Sequence, residues 1–263
     1  MTDPVHTSTH DRLTAPAHAA FRGTARVVGA IYLAGMVLGI GGNLLILSIL
    51  GASDQLSSVA ENSDLLALGA VLWLFAVAGD AAHGILMFPV LRPHGERMAM
   101  AYFGARVIEA TLVAVMTLLI VCQIPLSIAN EAAVPSEATT LEALSGVLHE
   151  AELFAYEFGM VALGVSGVVL CTVLHRSHLL PRGLATWGLI GNALLLAGSL
   201  LQILGLELNS IHTVLGGLWE VFIGVWLLTK GFVTPSPEAA DPSAAGRAVG
   251  AGHSGPVPTA RNR

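Results

Sequence analysis

Lysine is nearly absent from this chain: of its 12 Lys and Arg residues only Lys230 is a lysine, and it stands at the end of the last long apolar run. A retinal-type Schiff base needs a lysine within the membrane interior, so that chemistry is excluded. Charge of either sign is sparse, 11% of residues against about 25% in an ordinary soluble domain. The net charge is −6 and no basic groove can be assembled, so nucleic acid is not expected as a partner. The two cysteines, Cys122 and Cys171, fall near opposite ends of their apolar runs, and a disulfide between them is not expected. No G-x-x-x-x-G-K-[ST] phosphate loop occurs, which excludes ATP-driven work by this chain alone.

What is present is hydrophobic length. Hydrophobic residues make up 54% of the 263, and the mean hydropathy is +0.73. Six apolar runs, near 26–50, 65–91, 98–123, 149–174, 184–206 and 211–230, approach or exceed the ~20 residues that span a bilayer. The expected fold is an all-α, polytopic six-transmembrane-helix bundle over 22–232. A polar, disordered arm is expected over 1–21 rather than a cleavable signal, and a Pro/Ala/Gly/Ser-rich disordered tail over 233–263. Arg12, Arg22, Arg26, Arg92, Arg97, Arg176, Arg182, Lys230, Arg247, Arg261 and Arg263 all lie on one side of a six-span chain. The opposite connections, around 53–64, 125–140 and 207–210, contain no Lys or Arg. The positive-inside rule then predicts a multi-pass cell-membrane protein with both termini cytoplasmic. Thr139 followed by Glu142 is a helix-start signal, so the fourth helix is expected to begin outside the membrane or to follow a short interfacial helix.

Arg106 is the one cation inside a span, and Glu109 lies three residues on, on the same helix face. A charge at mid-membrane costs at least ~2.5 kcal/mol, so it faces the bundle interior and finds a partner. Counting helical rise from the span ends places Asp80, Arg106, Glu109, Glu157 and Glu220 in the middle half of the bilayer. Asn43, Asn192, Ser199 and Gln202 are expected to join them as interhelical hydrogen-bonding groups. One arginine cannot neutralise four carboxylates, so the centre is expected to hold protons or a cation. Asp80 and His83 form a second i, i+3 pair, the spacing at which an aspartate orients a histidine in proton shuttles. Gly35 and Gly39 in the first span, Gly159, Gly164 and Gly167 in the fourth, and Gly216 and Gly224 in the sixth are expected at close helix crossings.

Other chemistries fit less well. His149, Glu152 and His212 could meet at the outer edge as three metal ligands, but HEAEL at 149–153 is not H-E-x-x-H. Ser166 and His212 evoke a serine–histidine intramembrane protease, yet Ser166 lies roughly 25 Å below the outer end of its span. Haem ligation would need facing histidines at one depth, and only His149 with His212 would qualify.

Several segments together resemble the bacterial domain-of-unknown-function family 4386, over roughly residues 22–232. They are Arg26 through Leu33, the Asp80 helix running to Leu91-Arg92-Pro93, Ala105 through Ala110, Arg176 through Arg182, and Glu220 with Trp226 through Gly231. The resemblance implies six membrane helices with an Arg–Glu pair in the third, and no particular reaction. The leading expectation is therefore a membrane protein whose buried Arg/carboxylate pocket binds a small polar ligand or relays protons. The residues expected to carry it are Asp80, His83, Arg106, Glu109, Glu157, Asn192 and Glu220. The alternatives are an intramembrane enzyme acting on a lipophilic substrate by acid–base or metal-assisted chemistry, and a non-catalytic scaffold. No cofactor is expected; the partners this reading allows are the lipid bilayer, the small ligand or proton, and a second copy of the chain.

Overall fold

The computed structural model describes residues 9–206, 208 and 211–233, with side chains from residue 21 onward. Within them the elements are α1 (Thr9–Leu50), α2 (Gln55–Glu61), α3 (Ser63–Leu91), α4 (Glu96–Val121), α5 (Gln123–Glu131), α6 (Pro135–Ser177), α7 (Arg182–Ile203) and α8 (Ile211–Thr229), with a 3-10 turn at Arg92–His94. Six stretches are long and apolar enough to cross a membrane: Phe21–Leu50, Ser63–His94, Glu96–Glu131, Pro135–Ser177, Arg182–Ile203 and Ile211–Thr229. These are the six expected runs. Helical backbone reaches back to Thr9, into the segment expected as an arm, while the expected tail beyond 233 lies outside the described residues.

Burial is inverted relative to a water-soluble protein. Val37 is 72% exposed and Phe75 63%, while Arg106 and Glu109 are buried at 4% and 2%. An apolar exterior around a charged interior is the arrangement a hydrocarbon solvent selects. The chain is a multi-pass membrane protein.

The long helices pack as a closed ring: α1 against α3, α3 against α4, α4 against α6, α6 against α7, α7 against α8, and α8 back against α1. Glycines set the closest crossings. A Cβ at Gly42 would come 2.8 Å from the Gly69 carbonyl oxygen between α1 and α3, and one at Gly29 would come 2.6 Å from the Gly224 carbonyl between α1 and α8. A Cβ at Gly164 would be 2.8 Å from Leu196, where α6 meets α7. Gly35, expected at a crossing, has nothing within 4 Å, and Gly39 meets only the Trp73 ring; neither is at a helix–helix backbone contact.

Two apolar layers stack along the ring. One contains Ala25, Met87, Val90, Tyr102, Leu174, Ala185 and Leu227, toward the arginine-bearing end. The other contains Ile46, Leu66, Val113, Ile120, Ala155 and Leu195, toward the far end. The charged residues of α3 and α4 fall between these layers.

At the far end α6 starts at Pro135, well ahead of the expected 149, and its N-terminus is not at Thr139. Pro135 takes the first helical position, where its missing N–H costs nothing, and the Glu137 carboxylate accepts from the Val134 N–H at 3.4 Å. With 43 residues the helix is about 64 Å long, twice a hydrocarbon core. Its projecting part packs on α5, which packs on α2. A polar latch holds it there: the Gln123 amide donates to the Ser145 carbonyl at 3.0 Å, and the Ser145 hydroxyl donates back to Gln123 Oε1 at 2.8 Å.

Candidate functional site: a buried arginine–carboxylate centre

Arg106 is placed by the inward stripe of α4, where Ala99, Tyr102, Arg106, Glu109, Val113, Met116 and Ile120 recur at three- and four-residue spacing and are all buried. Its stem passes Gly84 of α3, where a Cβ would stand 3.1 Å from the arginine's own Cβ. Arg106 forms a close ion pair with Asp80 of α3, and its Nη1 lies 2.8 Å from Glu109 Oε2. The Arg106 and Glu109 side chains are 5% and 3% exposed, whereas Asp80 is 32% exposed, so the pair opens toward the surface only on its α3 side. The 2.8 Å contact is an ion pair, and among the described residues Glu109 Oε2 and Arg106 Nε have no hydrogen-bond partner. Glu220 of α8, partly buried, is near enough to interact electrostatically with both Arg106 and Asp80.

His83 is not oriented by Asp80, contrary to the i, i+3 expectation, because Asp80 is taken up by Arg106. Its Nδ1 is instead hydrogen-bonded to the Tyr102 hydroxyl, and Tyr32 of α1 meets the imidazole edge-on with centroids 4.6 Å apart. His83 Nε2 is buried without a partner. Tyr102 and Tyr32 were missed by sequence reasoning. A usable signal existed for Tyr102, which stands four residues before Arg106 and seven before Glu109, on their face of the helix. Tyr32, not Asn43, is the contribution of α1: Asn43 is exposed on the outer face beside Leu44 and Leu47.

Glu157 does not join Arg106. It lies with His212 of α8, 3.7 Å from His212 Nε2, and the same nitrogen is 3.3 Å from the Ser199 hydroxyl of α7. All three are buried, and Gly198 makes the room, since a Cβ there would overlap the His212 ring. Asn192 also stands apart: its amide donates to the Gly188 carbonyl at 2.8 Å, and its side chain fills the space left by Gly167. Gln202 accepts from the Leu208 N–H at 3.3 Å and so ties the α7–α8 connection.

The three outer-edge metal candidates do not converge. His149 Nδ1 is 2.9 Å from Glu152 Oε1, while His212 sits at the level of Glu157, eight residues or about 12 Å of helix from His149. His212 is itself buried, at 8% exposure, rather than solvated at an outer edge. Among the described residues no group of three or more His, Cys, Asp or Glu has metal-holding geometry. The Ser199–His212–Glu157 set also lacks the geometry of a hydrolytic triad. There the acid holds the histidine's second nitrogen, whereas here both partners approach Nε2 and Nδ1 has none.

Fold and site thus define a class: a six-span membrane protein with one buried arginine held between carboxylates of neighbouring helices. The chain belongs to the family described as a domain of unknown function, DUF4386, which matches residues 27–231 and so takes in the whole ring and its centre. Comparison with curated proteins and with solved structures finds no match to either.

Proposed function

We propose that this protein takes up and releases a proton at its buried centre, in a cytoplasmic-type membrane with both termini inside. The observation that carries the reading is a charge imbalance: one guanidinium, Arg106, is ion-paired with two carboxylates, Asp80 and Glu109, and Glu220 of α8, partly buried, has no ion-pair partner among the described residues. An uncompensated carboxylate in a low-dielectric interior is unstable, and a bound proton removes the excess charge without needing space. Space is scarce there, with Gly84 against the Arg106 stem and the His83 ring in edge contact with both Tyr32 and Tyr102. That favours a proton over a small polar ligand as the species held at the centre.

A second protonatable pair, Glu157 with His212, lies further toward the far end. Tyr156, beside Glu157 on α6, interacts electrostatically with Glu157, Glu220 and Glu109. Glu157–His212 and the Arg106 centre are the two stations of the proposed relay. Infrared spectra of the purified protein in lipid nanodiscs test this. A protonated carboxyl stretch, shifted by D2O, is expected at neutral pH and should be lost in Glu220→Gln or Glu109→Gln. A wild type without that band refutes the reading.

A further inference from the structure

At the arginine-bearing end, a cleft of about 110 Å³ opens between α1 and α8, lined by Arg22, Arg26, Leu227, Leu228, Thr229, Lys230 and Gly231. It carries three cations, and none of the three has an ion-pair partner among the described residues, unlike Arg92, which is paired with Glu96 at 3.2 Å. The C-terminal carbonyls of α8 offer only about half an elementary negative charge, far short of three cations. Gly231, with φ +74°, turns the chain at the end of α8 and packs on Ala25 of α1, which keeps Lys230 beside the two arginines.

The cleft lies where the membrane surface falls. Arg22 and Arg26 stand at the start of the apolar stretch of α1, and Lys230 just past the end of α8. Phe21, Trp226 and Phe232, each next to or within two residues of a lining residue in the chain, are partly buried against the core, at the level where a bilayer interface gathers aromatics. Just inward of it α1 and α8 cross closely at Gly29 and Gly224. Along α1 the stripe Arg22, Arg26, Ala30, Ala34 runs at i, i+4 spacing, all exposed. The two small, exposed alanines continue the line of the two arginines toward the hydrocarbon and leave a shallow lane along α1.

We infer that the α1–α8 cleft is a binding site for the phosphate-bearing headgroup of an anionic lipid, held by Arg22, Arg26 and Lys230 with an acyl chain along Ala30 and Ala34. Free phosphate has the same charge chemistry but makes no use of the lane. The full chain and the variant Arg22→Gln/Arg26→Gln/Lys230→Gln are titrated in neutral detergent with short-chain phosphatidylglycerol, with phosphatidylcholine of equal chain length, and with inorganic phosphate, reading the melting temperature. Phosphatidylglycerol alone is expected to stabilise the wild type, with each cation removed weakening the apparent affinity about fivefold, and the triple change about a hundredfold. Arg92→Gln, at the same end but away from the cleft, should respond as wild type. Should the triple variant fail to fold, Arg26→Gln is read in the same titration. Equal stabilisation by phosphatidylcholine or by phosphate, or an unchanged response in the cleft variants, overturns the assignment.

Discussion

At the scale of single residues, the centre makes unequal demands on its members. The Arg106 and Glu109 side chains are 5% and 3% exposed, and Asp80 meets Arg106 from the neighbouring helix. Breaking a buried pair by removing one partner costs about 3–5 kcal/mol. Arg106→Leu and Glu109→Leu should therefore lower stability by amounts in that range, and Asp80→Asn, which keeps an oxygen able to accept from the guanidinium, by less, measured by chemical unfolding in detergent. Tyr102→Phe removes the one hydrogen bond that His83 makes among the described residues and leaves a second ring nitrogen unpaired there, at a cost of about 1–3 kcal/mol by the same measurement. Sequence reasoning identified Arg106, Glu109 and Asp80 because a charge inside an apolar run is conspicuous. It assigned Glu157 to the same centre because helical counting yields depth, but not which neighbour a side chain turns to.

At the scale of the helix, the distinction is between glycines that face backbone and glycines that face open space. Gly164→Ala and Gly42→Ala each place a methyl group within 3 Å of a neighbouring helix, and overpacking of that kind costs about 1–3 kcal/mol. Gly35→Ala meets nothing within 4 Å and should be neutral or stabilising, by up to about 1 kcal/mol from helix propensity. Melting curves of the three variants check the ordering. The G-x-x-x-G spacing in α1 singled out Gly35 and Gly39, yet the working contacts are at Gly29 and Gly42. Spacing defines a face of a helix, and the rotation of that helix in the ring decides which face meets a partner. The early start of α6 was likewise legible only in part, since Pro135 and Glu137 are a start signal as good as Thr139 and Glu142.

At the scale of the whole molecule, the cations at the described helix ends gather on one side, where Glu96 is paired with Arg92. Arg22, Arg26, Arg92, Arg97, Arg176, Arg182 and Lys230 occupy one end, and Asp54, Glu61, Asp64, Glu131 and Glu137 the other. With the positive-inside rule this predicts the direction of insertion. In a Cys122→Ser background, a cysteine at Ser53 should react with a membrane-impermeant thiol reagent added to intact cells, and one at His94 only after permeabilisation. The reverse pattern would invert the topology and put the basic cleft on the outside.

Hydrophobic length, the asymmetry of the basic residues and the lone arginine of the third span were sufficient for the membrane class, the number of spans and the existence of a charged interior. Each is a local property: twenty apolar residues need a bilayer whatever lies around them, and a buried arginine needs a counter-charge whatever its source. Tertiary structure alone decided that Tyr102 holds His83, that Glu157 turns to His212, and that α1 closes on α8 around a basic cleft. Those outcomes depend on the rotation and relative depth of helices distant in sequence, and glycine contacts only a few ångströms wide set both.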